Sequence, residues 1–268
     1  MKKLNLISLV FIASCTIAPR ITVTNETTRA GNIGINGKLF ATAYMQKAAE
    51  YRALCFQAYN IARLRIDEIA GKDFPKPKAL ITDIDETILD NSPYEAHQTL
   101  QGKDYEPVSW AEWTAMAKAD TVPGALSFLT YASSKGIEVF YVTNRSEKER
   151  EATLKNLQKF NFPNADSAHL MLRENISSKE ERRKSIAANY AITMLLGDNL
   201  ADFSFLFDVK NTEDRMRNVN AEAAEFGDRF IILPNFAYGD WESSFYNFKS
   251  SLSQAQKDSL IKASVETY

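Results

Sequence analysis

Residues Ala79–Ser92 read ALITDIDETILDNS. The stretch begins as an apolar strand and turns abruptly acidic, with Asp83, Asp85, Glu86 and Asp90 inside eight positions. Carboxylates this close repel one another. A solvated loop tolerates such crowding, and so does a site that needs concentrated negative charge. The surrounding sequence favours the second reading, because other apolar runs in the chain end in the same way.

Upstream, Tyr44, Ala48, Tyr51, Cys55, Tyr59, Ala62 and Ile66 recur at three- and four-residue steps. That period predicts one helix over residues 38–70, stopped by Gly71, Pro75 and Pro77. Downstream, apolar runs at 137–144 (IEVFYVTN), 169–173 (HLMLR), 191–199 (AITMLLGDN) and 229–235 (RFIILPN) read as strands. Helical segments separate them, one of them capped by Ser146. Alternating apolar strands and helices predict an α/β fold, a Rossmann-like parallel sheet with helices on both faces. The core spans 77–235 with a polar, aromatic-bearing insertion at about 91–120. The segment 38–76 and the C-terminal helices of 236–268 are expected to form a small helical domain beside it.

Parallel sheets bind ligands at the carboxyl ends of their strands. Here those ends carry Asp83 and Asp85, then Thr143, Asn144 and Arg145, then Asp198, Asn199 and Asp202. Asp83 and Asp85 are two apart and point the same way on an extended chain. Asp198 can meet them only through folding. Carboxylates converging at one sheet edge need a cation, and an all-oxygen donor set selects Mg²⁺ over softer metals. Lys179, at the start of a helix, adds a positive charge where the helix N-terminus already favours anions. Mg²⁺, a lysine, a hydroxyl and a free carboxylate together suit phosphoryl transfer.

The composition is that of an ordinary globular protein, 45% hydrophobic and 25% charged. A formal net charge of −2 and the lack of any long basic run argue against a nucleic-acid polymer as partner. No apolar stretch reaches the roughly 18–20 residues of a spanning helix. The N-terminus reads as a targeting segment. Met1-Lys2-Lys3 precedes an apolar run, and Ile12-Ala13-Ser14-Cys15 has the form of a lipoprotein cleavage box. Residues 1–14 are then a signal peptide, Cys15 the lipidated residue, and 15–37 a tether rich in Thr, Asn and Gly. An ordinary secretion signal that happens to contain a cysteine is the alternative. Cys55, within the helical pattern, reads as a buried, inert thiol.

The blocks DIDETILDNSPY (83–94), VTNR (142–145), GDNLADF (197–203) and LPNFAYGDWE (233–242), in this order, resemble the bacterial class C acid phosphatases of the haloacid dehalogenase superfamily. Those are outer-membrane lipoproteins with a four-Asp signature, and the box at Cys15 agrees. The resemblance spans the chain from about Lys38 to the C-terminal helices. Thr82 and Thr193 depart from it, standing where aliphatic strand residues are expected.

The resemblance implies a haloacid dehalogenase-like core and an enzyme that hydrolyses small phosphomonoesters. These include 5′-nucleotides, nicotinamide mononucleotide and aryl phosphates. It makes Asp83 the nucleophile and Asp85 the acid and base. Asp83, the main-chain carbonyl of Asp85, Asp198 and Asp202 would hold Mg²⁺. Thr143, Asn144 and Lys179 would bind the phosphoryl group, and Trp110 and Tyr238 would stack on a flat leaving group. It also implies a lipid-anchored location in the bacterial cell envelope, at the outer membrane. The helical part offers a dimer surface, which makes a homodimer a candidate assembly.

Several residues have a second reading. Asp202 could merely cap the helix that follows Gly197. Lys184 or the Arg182–Arg183 pair could take the place of Lys179. Arg145 could touch phosphate or pair with a carboxylate, and the ion pair is the preferred reading. Trp113 could staple its helix to the core. Glu86 and Asp90 read as local turn residues, and His97 and His169 as structural or surface residues. A phosphotransferase on the same scaffold and a non-catalytic surface lipoprotein are the rival functions.

Overall fold

The apolar runs become strands and the periodic segments between them become helices, in a computed structural model that describes residues 32–268. The signal segment, Cys15 and residues 15–31 of the expected tether lie outside the described residues. The elements run α1 (Ile33–Lys47), α2 (Ala49–Ala70), β1 (Lys78–Thr82), β2 (Leu89–Asp90), α3 (Ser92–Leu100), α4 (Pro107–Ala115), β3 (Asp120–Thr121), α5 (Ala125–Ser134) and β4 (Glu138–Ser146). Then follow α6 (Arg150–Lys159), β5 (Leu170–Arg173), α7 (Glu180–Ala187), β6 (Ala191–Gly197), α8 (Thr212–Ala221), β7 (Phe230–Ile232), α9 (Asp240–Phe245) and α10 (Gln254–Ser264).

Five strands form one parallel sheet in the order β5-β4-β1-β6-β7, and β2 with β3 makes a small antiparallel ribbon. Strand alternation divides the sheet's side chains between two apolar layers. Leu80, Val139, Tyr141, Met194 and Leu196 face α2 and α5, whereas Ala79, Ile81, Phe140, Val142 and Leu195 face the side of Ile186 and Phe207. The expected fold class, helices on both faces of a parallel sheet, is what the structure has. Both departing threonines are satisfied: Thr82 Oγ1 donates to the Asp83 carbonyl at 2.8 Å and Thr193 Oγ1 to that of Ala79 at 3.0 Å. Thr193 falls where the β1–β6 register slips.

Two boundaries differ from expectation. Residues 33–37, assigned to the tether, open α1, with Asn32 capping it through a bond from the Ile35 N–H. The expected helix over 38–70 breaks at Ala48, whose backbone is extended. Alanine is the best helix former, so local propensity does not cause the break. The two halves pack on different partners, α1 on α3 and α10, α2 on α5 and β7. The helical part therefore divides. α2 belongs to the main core, where Tyr51, Cys55, Tyr59, Ala62 and Ile66 are buried. Each large apolar side chain so buried contributes about 1.5–3 kcal/mol. Cys55 is the buried free thiol expected of it. No helix of the described residues is long and apolar enough to cross a membrane.

Candidate active site

β1 is the central strand, with β4 and β6 on either side, so the residues following these three strands share one edge. β1 ends at Thr82, and the Asp83 N–H donates to the Leu196 carbonyl at 2.9 Å. Asp198 follows the last residue of β6. A single turn of 3₁₀ helix at Leu200–Asp202 then brings Asp202 back. Carboxylate oxygens of Asp83, Asp198 and Asp202 lie within 4.8 Å of one another. Gly197 permits this approach, because a Cβ there would stand 2.3 Å from Asp202 Oδ2.

The members of this cluster differ from the trio first expected. Asp83, Asp85 and Asp198 are the expected trio, but β1 ends at Thr82 and the chain turns at Glu86–Ile88. The two aspartates therefore face different partners. Asp85 meets Arg145, which donates from Nη2 at 2.7 Å and from Nε at 3.0 and 3.2 Å, and it also accepts from Asn91 Nδ2 at 2.8 Å. This is the ion pair preferred for Arg145. Asp202 takes the third place in the cluster.

Lys179 precedes α7 and is 5% exposed, with Nζ on the carboxylates of both Asp83 and Asp202, the latter at 2.6 Å. The rivals for its place do other work. Lys184 pairs with Glu181 at the surface. Arg182 donates to the Thr143 carbonyl at 2.5 Å and to Asn144 Oδ1 at 2.8 Å, and Arg183 to the carbonyls of Ala201 and Asp202. The start of α7 thus ties the end of β4 to the turn after β6. Asp202 Oδ2 accepts the Asn199 N–H at 3.0 Å, as a cap does, and Oδ1 faces Lys179.

Thr143 is fully buried and its Oγ1 accepts the Arg145 N–H at 3.1 Å. The ladder to β1 ends at Tyr141 and that to β5 is interrupted between Val142 and Ser146. Thr143 and Asn144 therefore lie outside both ladders, which leaves their main-chain N–H groups free of strand pairing.

One lysine among three carboxylates leaves excess negative charge. Burial, outweighing Lys179 and reinforced by Asp202 and Asp85, pushes Asp83 up to about 7. Burial and the charges of Asp202 and Asp83 hold Asp198 well above the ordinary carboxylate range. For Lys179, burial favours the neutral amine, but Asp202 and Asp83 prevail and raise its pKa. The donor set is oxygen only, buried and short of positive charge, which fits a hard divalent cation.

The aromatic candidates are both drawn to the nucleophile loop. Trp110 lies under the Arg145 guanidinium, 5.8 Å from ring centroid to Cζ, and packs edge-on against Tyr94. The Tyr238 hydroxyl donates to Glu86, which also accepts the Asn91 N–H at 2.7 Å. Trp113 donates to Asn91 Oδ1 at 2.8 Å while its ring packs on the core, as a staple does. Asp90 accepts the Ser92 N–H at 2.8 Å, as a turn residue does. His97 is exposed, and His169 bridges Asp166 and Glu138.

Glu86 is more than a turn residue. It is 1% exposed with φ 56°, a left-handed backbone that is uncommon for a side chain of this size. Burial and the charges of Asp85 and Asp198 hold its carboxyl well above the usual range. Its adjacency to Asp85 was visible in sequence, but its partner Tyr238, 152 positions away, was not.

A profile of the family described as HAD superfamily, subfamily IIIB (acid phosphatase) matches residues 8–241. The chain belongs to this family. Acid phosphatase 1 of Solanum lycopersicum is 28% identical over 130 residues, which is 46% of this chain and 50% of that one. The match thus spans about half the length of that curated relative. The class C acid phosphatase of Bacillus anthracis has a similar solved structure, with a TM-score of 0.85 and 37% identity over 89% of this chain and 100% of that one. A second structure of that protein, with tungstate bound, matches equally well.

Proposed function

We propose that the protein is a Mg²⁺-dependent phosphomonoesterase that works through a phospho-aspartyl intermediate on Asp83. The observation that carries this reading is the cluster of Asp83, Asp198 and Asp202 with Lys179 between two of them, at the carboxyl ends of β1 and β6. The tungstate held by the Bacillus anthracis protein is a phosphate-like oxyanion and supports a phosphoryl site here.

Asp83 attacks phosphorus in line with the ester oxygen, forming its own P–O bond as the ester P–O bond breaks. Asp85 gives a proton to the departing alkoxide. It then takes a proton from water, which attacks the phosphoryl group and frees Asp83 and phosphate. Thr143, the Asn144 N–H and Lys179 face the charge that develops on the transferring oxygens. Mg²⁺, when held by Asp83, Asp198, Asp202 and the Asp85 carbonyl, supplies further positive charge against those oxygens. Trp110 and Tyr238 provide faces for a flat leaving group, which favours 5′-nucleotides, nicotinamide mononucleotide and aryl phosphates. A phosphate-release screen over nucleotides, sugar phosphates and aryl phosphates tests this. Ring-bearing esters should be the better substrates, EDTA should stop release and Mg²⁺ should restore it. Release that ignores divalent cations would sink the metal part of the reading.

We further propose that Cys15 is lipidated and anchors the enzyme to the outer membrane. The support is Ile12-Ala13-Ser14-Cys15 after a positive start and an apolar run. Labelling cells with a radioactive fatty acid should mark the protein, and Cys15→Ser should lose both label and membrane association. A labelled Cys15→Ser variant would refute the anchor.

A further inference from the structure

Asp198 stands between donors from two separate loops. Thr87 Oγ1, after β1, lies 3.4 Å from its Oδ1, and Asn235 Nδ2, after β7, donates to its Oδ2 at 2.8 Å. The orientation of the Asn235 amide is fixed independently. Its Oδ1 accepts the N–H groups of Ala237 at 3.0 Å and of Tyr238 at 3.4 Å. An amide nitrogen cannot accept those bonds, so the turn leaves Nδ2 facing the carboxylate. The Leu233 N–H donates to the Gly197 carbonyl at 2.8 Å and holds the start of this loop against the end of β6.

We propose that Asn235 is a positioning residue for the metal: it orients Asp198 as a ligand without touching the substrate. This rests on the reading of Asp83, Asp198 and Asp202 as a Mg²⁺ site. The position calls for a neutral donor. A second carboxylate there would add negative charge to a site already short of positive charge, and an aliphatic side chain would leave Asp198 Oδ2 without this partner. Carboxylates that bind metals are themselves held by hydrogen bonds, and losing such a partner typically costs about 10–100-fold in affinity or activity. The same side chain shapes the turn that carries Tyr238, whose hydroxyl reaches Glu86. One amide therefore sets both a metal ligand and an aromatic at the mouth of the site.

The test is calorimetric titration of Mg²⁺ into the metal-free full chain and into Asn235→Asp and Asn235→Ala, each first shown to be folded by circular dichroism. Asn235→Asp keeps the oxygen that forms the turn and removes the donor. Asn235→Ala should bind Mg²⁺ about tenfold or more weakly, and Asn235→Asp should lose less, because its added negative charge attracts the cation. Their kcat should recover at saturating Mg²⁺, with KM for the phosphate ester little changed in Asn235→Asp and raised in Asn235→Ala, which loses the turn that carries Tyr238. If folded Asn235→Ala binds Mg²⁺ as tightly as the wild type, the assignment is overturned. Should Asn235→Asp misfold, Asn235→Ala decides alone. A wild type that takes up no Mg²⁺ overturns the metal site itself, a distinct failure that the same titration reveals first.

Discussion

Asp83→Asn is expected to abolish phosphate release while leaving the protein folded and, without metal, no less stable than the wild type. The amide keeps the shape of the side chain and loses the attacking oxygen. Removing a nucleophile costs an enzyme of this kind about 10⁴-fold or more in turnover. The stability side follows from burial. Asp83 is 7% exposed and its carboxyl is pushed up to about 7, so its ionised form is disfavoured in the folded protein. A neutral amide relieves the crowding with Asp198 and Asp202. The penalty from a carboxyl with a raised pKa grows as pH rises from its unfolded value of 3.8 towards 7 and is fully present above that. The melting temperature of the metal-free variant should thus match the wild type near pH 4 and equal or exceed it at pH 8. Melting curves at both values and a phosphate-release assay check the two halves. Retained turnover, or a variant that unfolds at pH 8, would contradict the account.

Lys179→Met should have the opposite effect on stability and also lose activity. Lys179 is buried against two carboxylates that are themselves buried. Removing one partner of such a group leaves uncompensated charge and costs about 3–5 kcal/mol. Without the ammonium, Asp83 shifts further up, so the folded state holds protons that the unfolded state releases. Stability of the metal-free variant should then fall as pH rises, with a larger loss of melting temperature at pH 8 than at pH 5. Turnover should drop by about 10²–10³-fold, as for other groups that face developing charge. A deficit in melting temperature that is the same at both pH values would show that the ammonium serves packing rather than charge balance.

Much of this site is legible in sequence because strand periodicity and topology act together. Once β1 and β6 are read as parallel neighbours, the residues after them must meet, and Asp83 and Asp198 do. Lys179 needs one further step, the placement of a helix start. What the sequence does not disclose depends on dihedrals and on distant partners. That Asp83 meets Lys179 while Asp85 meets Arg145 depends on partners from two distant segments. The left-handed backbone of Glu86 and its bond from Tyr238 require two segments to be docked first. Asn235 stands at the end of the strand expected over 229–235, and its bond to Asp198 appears only once the loop after β7 is docked on β6. The break at Ala48 runs against local propensity and coincides with a change of packing partners, from α3 and α10 to α5 and β7.

The central claim is that Asp83 carries the phosphoryl group, and acid-quenching during steady-state turnover tests it most directly. Digestion followed by mass spectrometry should find one phosphoryl group on the peptide that contains Asp83, dependent on Mg²⁺ and missing from Asp83→Asn. A phosphoryl group on a different residue, or undiminished turnover in Asp83→Asn, would contradict it.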